Sequence, residues 1–180
     1  MSSPSPDFLM QRVARGDRVA LEHLHAQMKQ PLYAFLRRMG ASRDDAADLL
    51  QTVFLKLWQH RAQYAGTQAN AWVYRITHNA WLDYARKWRL LDTATPAATG
   101  DIATHSPEES VMAGELGARL HQALATLPHD TREAILLSRF SPLTLADIAG
   151  ILGTSEANIK VRIHRGLMTL RRCIEEEGHD

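Results

Sequence analysis

Cysteine is almost missing: Cys173 is the single one among 180 residues. A disulfide framework and a cysteine-built zinc site are thereby excluded, and a reducing compartment suits the chain. No apolar run approaches the roughly 20 residues that span a bilayer. Met1 to Asp7 has neither the basic nor the apolar region of a secretory leader, so a cytoplasmic protein is expected. Val and Ile are sparse and never alternate with polar residues over a sustained stretch, which argues against strands. Also missing are a nucleophile beside a base, a glycine loop of phosphate-cradling spacing and a His-x-x-x-His pair; the nine histidines are scattered. An enzyme is therefore not expected, and neither is a metal or any other cofactor.

A strong net charge is missing as well, since the total is only +1. The distribution is more telling. Residues 1–90 carry 13 basic against 7 acidic side chains, residues 91–127 carry 1 against 5, and Thr154 to Arg172 carries 5 against 1. Two basic segments around an acidic middle point to two nucleic-acid-facing modules and a connector. Ordinary surface charge is the competing explanation. The connector has linker composition: Asp92 to Pro107 is rich in Thr, Ala, Pro and Gly and poor in large apolar residues. The expected organisation is a first domain at 1–91, a flexible linker at 92–112 and a second domain at 113–180. Each domain is a small helical unit, so the fold class is all-α.

Helical periodicity runs through both halves. From Phe8 to Met39 the apolar residues Leu9, Val13, Leu21, Leu24, Met28, Leu32, Phe35 and Leu36 recur at helical spacing. Gly16-Asp17 should interrupt this segment, Pro31 should start a new turn and Gly40 should close it. Ser42 with Asp45 three residues on resembles a capping box. The helix that follows carries Leu49, Leu50, Val53, Phe54, Leu57 and Trp58 on one broad stripe. Further helices are expected over about 70–91, 109–127, 131–140, 144–152 and 155–173.

The strongest local signal lies near the end. Thr144 can cap a helix in which Leu145, Ile148, Ala149 and Leu152 share a face, and Gly153 permits the left-handed turn that ends it. Ser155 can cap the next helix, whose inner stripe is Ile159, Ile163, Leu167 and Leu170. A short glycine turn between two such helices is the helix-turn-helix arrangement, with the second helix in the major groove. Its outer face carries Asn158, Lys160, Val161, His164 and Arg165, with Arg162 at the edge and Ser155 at the N-terminus. Asn and Arg read base edges, while Lys and Arg neutralise phosphates. The bland alternative is a helical hairpin with a solvated basic face.

A second unusual segment is Ala69 to Arg89. Tyr74, Trp81, Tyr84 and Trp88 fall within about 80° of one another on a helical wheel, and Arg75, Asn79, Asp83 and Arg86 form a separate polar stripe. Aromatics beside cations suit single-stranded or opening DNA. Equally, the aromatics could fill the core and the charges pair along the helix.

Five separated motifs in order resemble the extracytoplasmic-function sigma factors of bacterial RNA polymerase. They are Gly16-Asp17 with Ala20 and Leu24; Asp45 to Trp58; Trp72 to Asn79 with Asp83 and Arg86; Leu124 to Pro128 with Arg132-Glu133 and Leu136-Leu137; and Ile148 to Arg165. The resemblance covers Phe8 to Cys173. It implies an alternative sigma factor that binds core polymerase and directs promoter-specific initiation. Asp45, Asp48, Leu49, Gln51, Thr52, Phe54 and Lys56 would lie on the helix that docks on a coiled coil of the β′ subunit, with β also contacted. Trp72, Arg75, Asn79, Trp81, Tyr84, Arg86 and Lys87 would engage the −10 element, and the loop around 65–71 would capture a flipped base. Ser155, Asn158, Lys160, Val161, Arg162, His164 and Arg165 would read the −35 element. The linker would thread toward the polymerase active-site and RNA-exit region, where its acidity would mimic nucleic acid. An anti-sigma factor, often membrane-tethered, is the further implied partner.

The chain departs from the family pattern in places. Ala47 and Thr52 replace common acids, Ser141-Pro142-Leu143 replaces a glycine turn, and Asn158, Val161, His164 and Gly166 are unusual on the last helix. The rival to a sigma factor is a free-standing helix-turn-helix repressor or activator that dimerises through its first half. Such a protein would not need the Asp48/Gln51 face.

Overall fold

In the computed structural model, residues 3–92 and 114–176 are described, and among them every regular element is helical. The chain divides into two compact units, residues 1–36 with 43–100 and residues 37–42 with 101–180. The expected linker lies outside the described residues except for Asp92, which ends a helix.

The first unit opens with α1 (Pro6–Ala14), capped by the Ser5 hydroxyl, which accepts from Phe8 N–H. Gly16, at φ +90°, breaks the chain direction where the sequence predicts a break. Asp17 then starts α2 (Arg18–Met39): its carboxylate accepts from Ala20 N–H at 3.0 Å and from Arg12 Nε at 2.8 Å. These bonds, the backbone one first, hold its carboxyl below the usual range. Pro31 does not begin a new helix, contrary to expectation; it sits inside α2. An interior proline costs about 3 kcal/mol, but Leu24, Met28, Leu32, Phe35 and Leu36 on both sides of it are all buried along one face. Breaking the helix there would expose that stripe, at roughly 1.5–3 kcal/mol for each side chain.

Helix α3 (Arg43–His60) buries Ala46, Leu49, Val53, Phe54 and Leu57, and a 3-10 turn (Arg61–Gln63) leads into the loop before α4 (Ala69–Asp92). α4 packs along α3 and also meets α1. Its inward face is Val73, Tyr74, Thr77, Ala80 and Trp81. Tyr74 stands edge-on to Phe35 at 6.0 Å, and the Thr77 hydroxyl returns a bond to the Val73 carbonyl.

The second unit contains α5 (Gly114–Ala125), α6 (His129–Phe140), α7 (Leu145–Leu152) and α8 (Glu156–Glu176). The helix expected over 109–127 is described from residue 114 onward, and residues 109–113 lie outside the described residues. α6 starts two residues before the predicted 131, directly after Pro128. It is the centre of the unit, with residues 132–137 all buried. Such a run is only possible for a helix covered on several sides, and α7 and α8 both pack on it. Arg132 is buried with it and donates to the carbonyls of Ala125 and Leu127, satisfying acceptors at the end of α5.

Gly166 explains one departure from the family pattern. A Cβ there would lie 2.5 Å from Ile135 Cδ1 and 2.6 Å from Thr131 Cγ2. α8 crosses α6 at van der Waals distance over this residue. Gly166→Val should therefore destabilise the chain by about 1–3 kcal/mol in urea unfolding, although at an open helix position valine would be favoured over glycine. A rise in stability would show that the crossing is not that close.

Candidate nucleic-acid interface

The helix-turn-helix forms as the sequence predicts. The Thr144 hydroxyl accepts from Asp147 N–H at 3.1 Å, and the Asp147 carboxylate accepts from Thr144 N–H at 2.9 Å, which completes a capping box on α7. Gly153 is left-handed (φ 62°, ψ 38°), and the Thr154 N–H returns to the Ala149 carbonyl. Ser155 caps α8 by accepting from Asn158 N–H at 3.2 Å. Ile159 and Leu170 are buried, Ile163 and Leu167 half-buried, and Ala149 lies in the core of the turn.

The outer face of α8 presents Ser155, Asn158, Lys160, Val161, His164 and Arg165 to solvent, and Met168 and Arg172 continue it. This is the expected set, with two qualifications of geometry. The Asn158 amide donates to the Thr154 hydroxyl at 3.1 Å, which orients it toward the start of the helix. Arg162 is half-buried, and its Nη1 lies 3.5 Å from Asp130 Oδ2 on α6, so it is drawn to the edge of the face by an acid of the same unit.

In the first unit, α4 settles the question of core against surface residue by residue. Tyr74 (2% exposed) and Trp81 (1% exposed) are core. Trp81, expected to touch DNA, is therefore corrected to a buried packing residue: its indole is enclosed, and no base can stack on it in this arrangement. From it the aromatics step outward, Trp81 to Tyr84 at 5.3 Å and Tyr84 to Trp88 at 6.0 Å, with Trp88 46% exposed. Arg75, Asn79, Asp83, Arg86 and Lys87 are all exposed, and Trp72 is half-buried against Tyr64 at 5.6 Å. Asp83 spans the stripe, pairing with Lys56 of α3 at 3.0 Å and with Arg86 at 3.6 Å.

α3 sorts its own candidates in the same way. Leu49 and Phe54 are buried in the core of the unit. Asp45 turns inward and accepts from the Tyr84 hydroxyl at 2.9 Å; burial, and then this carboxylate, push that phenol well above its ordinary pKa. Lys56 is held by Asp83, and Thr52 bonds back to the Asp48 carbonyl. The exposed ridge is Asp44, Asp48, Gln51 and Leu55, which fall within about 60° of one another. Leu55, at 57% exposure, was not among the sequence candidates. Its signal was available: it is an apolar residue off the buried stripe.

Two family matches cover both units. Residues 24–90 match Sigma-70 region 2, and residues 117–170 match Sigma-70, region 4. RNA polymerase sigma factor CarQ of Myxococcus xanthus is 33% identical over 169 residues, which span 93% of this chain and 96% of that protein. The ECF RNA polymerase sigma factor SigE of Mycolicibacterium smegmatis is 30% identical over 173 residues, spanning 93% of this chain and 67% of that one. The chain belongs to the ECF family of RNA polymerase sigma factors. It is an alternative sigma factor and directs transcription initiation; the free-standing repressor or activator is set aside.

Solved structures agree on the fold of this sigma factor. The sigma factor RpoE of Bartonella quintana, solved in complex with the anti-sigma factor NepR, matches with a TM-score of 0.72 at 26% identity, covering 86% of this chain and 96% of that one. CnrH, solved with the cytosolic domain of CnrY, matches with a TM-score of 0.75 at 21% identity, covering 95% and 97%.

The α3–α4 seam makes a distinct prediction. Tyr84→Phe should cost about 1 kcal/mol, because it removes the part-buried bond that the Tyr84 hydroxyl donates to Asp45. Asp48→Ala on the exposed ridge should stay within about 0.5 kcal/mol of wild type. Urea unfolding of the two variants measures this, and equal small effects would show that the Tyr84–Asp45 bond adds nothing measurable to the seam.

Proposed function

We propose that this ECF sigma factor divides the work between its units as follows. The N-terminal unit, to about residue 91, binds core RNA polymerase and opens the −10 element. The C-terminal unit, from about residue 113, reads the −35 element as duplex. The observation that carries this division is the sorting of α3 and α4: each commits some of its candidate side chains to the core and leaves others exposed. The α3 ridge, Asp44, Asp48, Gln51 and Leu55, is acidic and polar around one apolar side chain, which suits a partner surface of complementary positive charge. It is the surface for the β′ coiled coil, with β as the second subunit contacted. On α4 the exposed polar stripe is Arg75, Asn79, Asp83 and Arg86, with Lys87 at its flank, and Trp88 is exposed on a separate face of the same helix; cations and an accessible indole on one helix suit the backbone and bases of a separated strand. Ser155 to Arg165 on α8 suits the major groove.

The protein acts by binding, with polymerase supplying the chemistry, and works in the cytoplasm. Among the described residues no helix is long and apolar enough to cross a membrane. An anti-sigma factor, membrane-tethered in keeping with the family resemblance, belongs among its partners, as RpoE has NepR. Transcription in vitro with core polymerase on genomic fragments, with start sites mapped, tests the whole proposal. Tight duplex binding by the chain alone, without co-elution with core, would sink it.

Two substitutions separate the units. Asp48→Arg should weaken core binding roughly tenfold, a loss of about 1.4 kcal/mol, while duplex recognition by α8 persists; transcription at the wild-type level would remove Asp48 from the docking surface. Arg165→Ala should cost about 1–3 kcal/mol of affinity for upstream duplex with core binding intact, measured by fluorescence anisotropy and co-elution. Equal loss of both activities would mean that the substitution had unfolded the chain.

A further inference from the structure

The loop between the 3-10 turn and α4 is tied down by α1, an element that the promoter-binding assignment leaves without a role. Asp7, in the first turn of α1, places one carboxylate oxygen between two donors of that loop: the Tyr64 hydroxyl at 2.8 Å and the Ala69 N–H at 2.7 Å. One turn further along the same face, Gln11 Nε2 donates to the Gly66 carbonyl at 3.1 Å. The two tethers are four residues apart on α1 and grip the loop at its start, middle and end.

The loop has reason to need them. Gly66 is at φ +91°, and Gln68 is at φ +62°, the one non-glycine residue with positive φ among the described residues. A left-handed conformation outside glycine costs roughly 1–2 kcal/mol, and it persists only where surrounding bonds over-determine it. Asp7 also brings a negative charge to the first N–H of α4, where the helix dipole favours one. Between α1 and the loop lies an open cavity of about 300 Å³ lined by Gln11, Ala14, Arg15, Tyr64, Ala65 and Gly66. Tyr64 packs in turn on Trp72, the first aromatic of the α4 face.

We infer that Asp7 and Gln11 are positioning residues for strand opening: α1 holds the 64–68 loop and the first turn of α4 in the shape that receives the separated strand. This rests on the proposed assignment of α4 and its preceding loop to the −10 element. Neither residue needs to touch DNA. Both act through the loop, so they set how well an already melted strand is bound and leave the number of phosphates neutralised unchanged.

The test uses full-length protein assembled with core polymerase. The probe is a fluorescent single-stranded oligonucleotide carrying the non-template −10 segment of a promoter identified by the transcription assay. Asp7→Ala should weaken binding of this strand roughly tenfold, as expected for two lost bonds to a charged acceptor, with core affinity unchanged. Asp7→Asn, which keeps an acceptor oxygen in place, should recover most of the loss. Gln11→Ala and Tyr64→Phe each remove one tether and should lose less than Asp7→Ala. The dependence on salt separates positioning from contact. Arg75→Ala should reduce the slope of log affinity against log salt by about 1, whereas Asp7→Ala should lower affinity at an unchanged slope.

Strand binding by Asp7→Ala within twofold of wild type overturns the inference. Should Asp7→Ala lose core affinity as well, Gln11→Ala and Tyr64→Phe decide, and wild-type strand binding in both overturns it. Loss with Arg75→Ala but not with the α1 variants removes only the positioning role. Absence of an effect in Arg75→Ala and Asn79→Ala removes the α4 assignment itself, and the inference with it.

Discussion

The packing of α3 against α4 is the constraint on which the first unit depends. Two amphipathic helices that share a core can each expose only what the seam does not use. Leu49, Val53, Phe54 and Leu57 of α3 and Val73, Tyr74, Thr77 and Trp81 of α4 are all buried in the core of the unit. Polar groups reinforce the packing at its rim. Asp45 is taken by Tyr84, and Lys56 by Asp83. The two contacts differ in weight. The Asp45–Tyr84 bond is half-buried and costly to break, whereas Lys56–Asp83 is an exposed pair worth at most about 1 kcal/mol. What remains outside differs in chemistry: Asp44, Asp48, Gln51 and Leu55 on α3, and Arg75, Asn79, Arg86 and Lys87 with Trp88 on a separate face of α4.

The second unit solves a related problem with α6. By burying residues 132–137 on all sides, that helix gives α7 and α8 a common support. The capping box at Thr144, the left-handed Gly153 and the Ser155 cap then set the direction in which α8 leaves. Gly166 allows α8 to cross α6 closely, so the basic outer face is set by a packing requirement on the inner one. Arg162 shows where the two requirements meet. By the helical wheel it lies at the edge of the outer face, and Asp130 of α6 lies 3.5 Å from its guanidinium there.

Much of this was open to inspection in the residues. Periodicity located the helices, and Gly16, Gly153, Thr144 and Ser155 marked breaks and caps where the structure has them, because those signals are local and need only a few neighbouring side chains. Pro31 misled for the complementary reason: its local cost was outweighed by a buried stripe extending to both sides, and burial is a tertiary quantity. The site residues divide along the same line. The exposed face of α8 was legible from the wheel, since the apolar stripe of a single helix defines its opposite. On α3 and α4 the wheel could not say which polar residues pair across the seam, and so it grouped Asp45 with Asp48 and Trp81 with Trp88.

By itself, the sequence determined that the chain is all-helical, that its last part carries a helix-turn-helix and that its motifs follow the order of an ECF sigma factor. Each of these depends on spacing along the chain, and spacing survives without coordinates. Only the tertiary structure decided that Trp81 is core, that Asp45 and Lys56 face α4, that Leu55 stands on the outer ridge and that Asp7 reaches Tyr64 and Ala69. Those are relations between residues from 27 to 62 positions apart or matters of burial, and no periodicity within one helix encodes which neighbour covers it.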